Sequence, residues 1–170
     1  LSKLYVNDIY SKTGATEAIN IDSDGRVTTP ARPAFLVNWS SNQSASSSGN
    51  IRINFDQIIF DIGSNVSNGA FTAPVSGIYQ FNLSQRFDGV NGGYIIIGFD
   101  DDATTKNTSP LWYNSYRING SPPSNYFTLQ SSLTWQLTAG DVVAPWYFRS
   151  TAESYTLAAT GSQFSGHLVG

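Results

Sequence analysis

The chain has 170 residues and a formal net charge of -3, with charged residues at 12% and apolar ones at 40%; so thin a charge beside an ordinary apolar share describes a folded globule coated in Asn, Ser and Thr, with room for one core. The absence of Cys excludes disulfides, zinc–thiolate clusters, iron–sulfur centres and a thiol nucleophile. Scattered Lys and Arg argue against a nucleic-acid partner, and no apolar run approaches the roughly 18 residues that cross a bilayer.

The stretch from Leu1 carries no basic-then-apolar leader pattern, and in a chain without Met it reads as part of a longer protein. Leu4, Val6 and Ile9 give a short apolar pattern that Gly14 breaks. Ile19, Asn20, Ile21 and Asp22 alternate before Ser23-Asp24-Gly25, and Val27 resumes beyond. This predicts two short strands joined by an Asp-Gly hairpin. With so few large side chains the stretch cannot bury itself, so residues 1–30 are expected to form a stalk that packs against other copies and ends at Pro30, with a head over 31–170. Asn20, Asp22, Asp24 and Gly25 copy the opening of a calcium loop, but Ala31 stands where its Glu belongs, and a hairpin turn is the reading.

From Pro33 onward short strands alternate with Gly, Pro, Asn and Ser, and no stretch has a helical period, so the head is all β. Strands are expected near Ala34–Trp39, Ile51–Phe60, Tyr79–Leu83, Tyr94–Phe99, Leu111–Ile118, Phe127–Leu137, Val142–Phe148 and Gln163–Val169. Phe127, Leu129, Leu133, Trp135 and Leu137 share one face, with Thr128, Gln130, Ser132, Thr134 and Gln136 on the other. About ten such strands mean a sandwich or a barrel. Residues Ser40 to Asn50 read as a long polar surface loop, and Pro145 within an apolar run predicts an edge or a bulge.

The order of aromatics and glycines resembles the complement globular-head (C1q-like) family, a ten-stranded jelly roll related to tumour necrosis factor. Arg32-Pro33-Ala34-Phe35 resembles its opening strand. Phe55 and Asp61, then Phe71, Gly77, Tyr79 and Phe81, resemble its signature; Leu137, Gly140, Asp141 and Val143 resemble the turn before its penultimate strand, and Phe164-Ser165-Gly166 with Leu168 its last. Val66 and Leu83 stand where the signature has aromatics or, at the first, Leu, and the gap before Phe71 is shorter than the pattern by two residues. The resemblance implies an all-β, ten-stranded C1q/TNF-like jelly-roll sandwich that is homotrimeric. The stalk, through Ile9-Tyr10-Ser11-Lys12-Thr13-Gly14 and Ile19 to Val27, resembles repeats of fibre and other virion structural proteins of tailed phages, including those of marine cyanobacteria.

The candidate chemistry is sparse. Strand alternation puts His167, the one histidine, beside Ser165 and opposite Phe164 and Leu168, an exposed or interface position rather than part of a triad. Asp100, Asp101 and Asp102 form the one acidic run, and the resemblance makes them the candidate calcium site; otherwise they form a solvated turn. Asp56, Asp61, Asp88, Asp141, Glu17 and Glu153 could supply paired carboxylates, but no spacing selects a pair, and Asp56 and Asp61 read as turn caps or Arg partners. Trp112, Tyr113, Tyr116 and Arg117 form the richest aromatic cluster outside the expected core and are the candidate receptor contact, against strand packing or a trimer interface. Asn38, Asn65 and Asn107 head Asn-x-Ser/Thr triplets expected by chance in such a composition.

The two resemblances together imply a non-enzymatic trimeric virion component, a tail-fibre knob that adheres to a host-surface glycan or protein. It would meet other virion proteins through its N-terminal side, without nucleic acid, membrane insertion or any cofactor but calcium. The alternatives are a secreted or spore-surface bacterial adhesion protein on the same jelly roll and a glycan-cleaving enzyme borne on a fibre.

Overall fold

Two-residue alternation gives most long segments of this chain one wet and one dry face, which is the pattern of strands in a two-layer sandwich. The computed structural model describes residues 6, 8–10, 17–100, 110–117 and 126–169, the segment 110–117 as backbone. Among the described residues there is no helix. The strands are β1 (Asp8–Tyr10), β2 (Glu17–Ile21), β3 (Val27–Thr28), β4 (Ala34–Asn38), β5 (Gln43–Ala45), β6 (Gly49–Arg52), β7 (Gln57–Asp61), β8 (Val66–Ser67), β9 (Ala70–Thr72), β10 (Gly77–Asp88), β11 (Tyr94–Asp100), β12 (Pro110–Arg117), β13 (Tyr126–Leu137), β14 (Val142–Arg149) and β15 (Tyr155–Leu168).

The head is a jelly roll of two antiparallel sheets. One runs β13-β10-β15-β4-β7, with β5 on the first half of β15; the other runs β12-β11-β14-β9-β8, with β6 on the last half of β14. β10 and β13 pair without a break from Gly77↔Leu137 to Asp88↔Tyr126, and β15 returns to lie against β4, joining the two ends of the head. Between the sheets the rings of Phe35, Phe71, Phe81 and Phe164 interlock, with Phe35 4.9 Å from Phe71 and 4.8 Å from Phe164. Such pairs add about 0.5–1.5 kcal/mol each beyond the apolar area they bury. Gln85 is also buried, and stays satisfied because it accepts from the Trp39 indole at 3.1 Å and donates to the Arg86 carbonyl at 2.7 Å.

Three expectations are corrected. The segment read as one strand over Ile51–Phe60 is two, β6 in one sheet and β7 in the other. Ile53 and Phe55 lie in the crossing and are buried there, so apolar alternation continues while the hydrogen-bond partners change. The polar run Ser40 to Asn50 is not a bare loop, since β5 pairs with β15 and β6 with β14. Pro145 lies in an interior strand, at the point where one neighbour of β14 changes from β9 to β6. Its carbonyl accepts from Ile53 at 2.9 Å, and its missing N–H faces a gap in the ladder, where it removes no bond.

The N-terminal segment forms its own sheet in the order β1-β2-β3. The β2–β3 turn is the expected hairpin: Asp22 accepts from the Asp24 and Arg26 amides at 2.9 Å each, the Arg26 guanidinium grips Asp22 and Asp24, and Gly25 takes φ 79°. The carboxylates that mimicked a calcium loop are thus engaged in the turn itself. Ile9, Tyr10 and Val27 remain exposed, as expected of a segment too small to bury itself.

Asp56 caps the opposite end of the head, accepting from the Ser40 amide at 2.8 Å and its hydroxyl at 2.7 Å. Those bonds hold its carboxyl below the ordinary value, with the backbone bond the larger cause. A depressed folded value means the cap stabilises the fold above the ordinary carboxylate range and is lost as pH falls through the folded value. We expect Asp56→Ala to lower the melting temperature at neutral pH and to flatten its decline below about pH 4; parallel melting curves for variant and parent across that range would contradict this.

Candidate functional site

The predicted aromatic cluster lies on β12, the edge strand of its sheet. Its register sets Trp112 opposite Phe99 and Tyr116 opposite Ile95, both core residues, while Tyr113 and Arg117 fall opposite Gly98 and Tyr94. Strand alternation therefore divides the four between two faces; their side chains lie outside the description. Of the acidic run, Asp100 closes β11 and is buried, whereas Asp101 and Asp102 lie outside the described residues. Asn107 also lies outside them. Among the described residues no three His, Cys, Asp or Glu side chains converge as metal ligands. His167 is exposed beside Ser165, between Ala34 and Gln80 of the flanking strands, on the face the alternation predicts. Of the carboxylates, Asp61 accepts from the Val66 amide and Asp141 from the Thr138 amide, both as turn caps.

Two surfaces stand out. The first is the outer face of the sheet β13-β10-β15-β4-β7. Its outward positions from Ile78 to Ser84 on β10, from Thr128 to Gln136 on β13, and at Gln163, Ser165, Leu36 and Asn38 carry no Lys, Arg, Asp or Glu. They are knit by side-chain bonds: Gln80 to Ser132 at 2.7 Å, Ser132 to Asn82 at 3.2 Å, and Thr134 to Gln80. One edge of this sheet is β7, where Ile58, Ile59 and Phe60 are each about half exposed, at 55%, 50% and 46%. An uncovered apolar edge strand of this kind invites pairing with another surface.

The second surface is a cleft at the end of the sandwich away from the N-terminal sheet. A cavity of about 690 Å³ opens there between the end of β10, the start of β15 and the run from β5 into β6. Its floor is Tyr147 and Tyr155, whose rings stand nearly perpendicular with hydroxyls 2.8 Å apart. The Tyr155 hydroxyl donates to the Ser47 carbonyl at 3.2 Å, so the single proton of Tyr147 goes to Tyr155, and the Tyr147 oxygen keeps its lone pairs. Burial raises both phenols above their ordinary value and keeps them protonated.

Asp88 stands at the rim, gripped by Arg86 through Nε at 2.7 Å and Nη2 at 3.1 Å, while the same guanidinium lies 4.1 Å from the Tyr126 ring centre. Behind the floor Arg149 is fully buried. It donates to the Gly92 carbonyl at 3.0 Å and to Glu153 at 3.3 Å, with its guanidinium 5.3 Å from the Tyr155 ring centre. These contacts tie the β10–β11 and β14–β15 connections to the core. Sequence reading missed this group. Only the turn-forming Asp88-Gly89 and the Ser154-Tyr155 strand entry carry any local signal, and neither points to the other.

The model of the C1q domain matches residues 34–169. No curated protein matches the chain. Among solved structures, the globular domain of zebrafish complement 1qA superposes with a TM-score of 0.57 at 18% identity, covering 82% of this chain and 98% of that one. Murine APRIL gives 0.57 at 14% identity over 81% and 99%, and the Eiger TNF of S. frugiperda gives 0.56 at 14% over 81% and 91%. At such identities the likeness is one of fold.

Proposed function

The chain belongs to the C1q domain family, and from that premise we propose that it is a non-enzymatic head that assembles as a homotrimer and attaches a particle to a cell surface, as the knob of a phage tail fibre does. Domains of this family are generally binding or structural modules and typically form homotrimers. The observation that carries the assembly is the outer sheet face, whose charges on β10, Arg86 and Asp88 at the cleft end, are paired with each other, bordered by the β7 edge with Ile58, Ile59 and Phe60. Burying that face against a second copy desolvates no unpaired charge, and Phe60, opposite the outward Leu36, gains the cover it lacks in one chain. The N-terminal sheet then points toward the particle and the cleft end toward the target. The phage-like stalk sequence supports the virion setting, and attachment by three copies multiplies a weak single-site affinity.

Competition for attachment tests the reading. The purified head, added to host cells, should block adsorption of the particle that carries it. Phe60→Asp places a charge on the interface and should yield monomers that block adsorption about a hundredfold less well through lost avidity. A trimeric head that leaves adsorption unchanged would refute attachment, and a Phe60→Asp trimer would refute the interface.

A further inference from the structure

We propose that the cleft bounded by Asp88, Ser47, Ser154 and Thr156 over the Tyr147–Tyr155 floor is a lectin-like site for a neutral saccharide, the terminal sugar units of a surface glycan. This deepens the attachment reading and rests on it. The cavity of about 690 Å³ lies within the ordinary range of ligand sites and is open enough to admit the end of a chain.

The lining selects the ligand by its chemistry. Ser47, Ser154 and Thr156 bring hydroxyl-bearing side chains to the lining, Ile51 and the two tyrosines add apolar surface, and the phenols stay neutral donors and acceptors. A sugar ring has this dual character, with hydroxyls around its rim and C–H groups on its faces. Asp88 is the one carboxylate among the described lining residues, and each of its oxygens already holds one bond from Arg86. The pair leaves lone pairs free to accept sugar hydroxyls while presenting little net charge, which suits a neutral polyol over a sialylated or uronic one. The buried Arg149 lies behind the floor with Glu153 and the Gly92 carbonyl on it, and does not offer a cation to an anionic ligand.

The same lining argues for binding without cleavage. Hydrolysis of a glycosidic bond needs two carboxyl groups flanking it, about 5–10 Å apart, and among the described residues the lining holds one, already paired. The floor is rigid as well, since the Tyr147–Tyr155–Ser47 chain of bonds and the pairing of β5 with β15 fix its walls before any ligand arrives.

The experiment is binding of the whole chain to an array of neutral oligosaccharides built from glucose, galactose, mannose and N-acetylhexosamines, with sialylated and uronate-bearing ones beside them. The expected result is selective capture of neutral glycans without release of fragments. Ser154→Arg, an exposed substitution at the mouth, should abolish capture while melting temperature and particle mass stay at the parent's values, and Asp88→Asn should weaken it about tenfold or more. Capture of anionic glycans alone, no capture, or capture unaltered by Ser154→Arg would overturn the proposal. Adsorption separates the two readings. If the head blocks particle attachment and Ser154→Arg blocks it equally well, the cleft inference fails and attachment stands; if neutral glycans bind but the head never competes, the attachment reading fails.

Discussion

Gly166→Val is expected to abolish folding, and Gly166→Ala to lower the melting temperature by about 10 °C, equivalent to about 3 kcal/mol in a chain of this size. The cause is space rather than backbone conformation. A Cβ on Gly166 would lie 2.6 Å from Phe81 Cδ1 and 2.8 Å from Phe35 Cε1. Neither ring can retreat, because both are fully buried and each is wedged against Phe71 and Phe164. With a total stability of about 5–15 kcal/mol for a domain, the two further methyl groups of valine exceed what the sandwich can absorb. Circular-dichroism melting of the two variants checks this, and a Gly166→Ala melt at the parent's temperature would show that the rings do not close over the last strand.

A contrast between two substitutions at Arg149 carries the second large effect. Arg149→Ala is expected to cost about 3 kcal/mol, because truncating a fully buried long side chain leaves a cavity. Arg149→Met fills the same volume without a charge and is expected within about 1 kcal/mol of the parent. The reason is that the charge is poorly repaid. Glu153 is partly in solvent and reaches it at 3.3 Å, and Nε has no partner among the described residues. Urea unfolding of both variants measures the difference. Equal losses for alanine and methionine would mean that the ion pair, not the packing, holds the β14–β15 connection in place.

Much of the sandwich was legible because a period of two survives wherever one face is dry. Phe127 through Leu137 reads directly as β13, and Phe81 and Phe164 fall inside as alternation demands; only Trp135, at the end of the sheet, keeps much of its surface in water. His167 was placed correctly by the same rule. What failed has a physical reason in each case. Ile51, Ile53 and Phe55 keep their alternation through a change of sheet, because side-chain burial and backbone pairing are set by different neighbours. β5 was hidden by Ser and Gln because it is a short strand at the margin with little to bury. The cleft was invisible for another reason. Ser47, Asp88, Tyr147 and Tyr155 meet only after β5, β10, β14 and β15 are arranged, and no period links positions so far apart.

The central claim, that three copies of this jelly roll cover one another's polar outer sheet face, is tested most directly by sedimentation equilibrium of the intact chain at micromolar concentration. The account predicts one species at three times the 18.4 kDa chain mass, falling to a single chain for Phe60→Asp. A folded particle of one chain mass in the parent protein would contradict it.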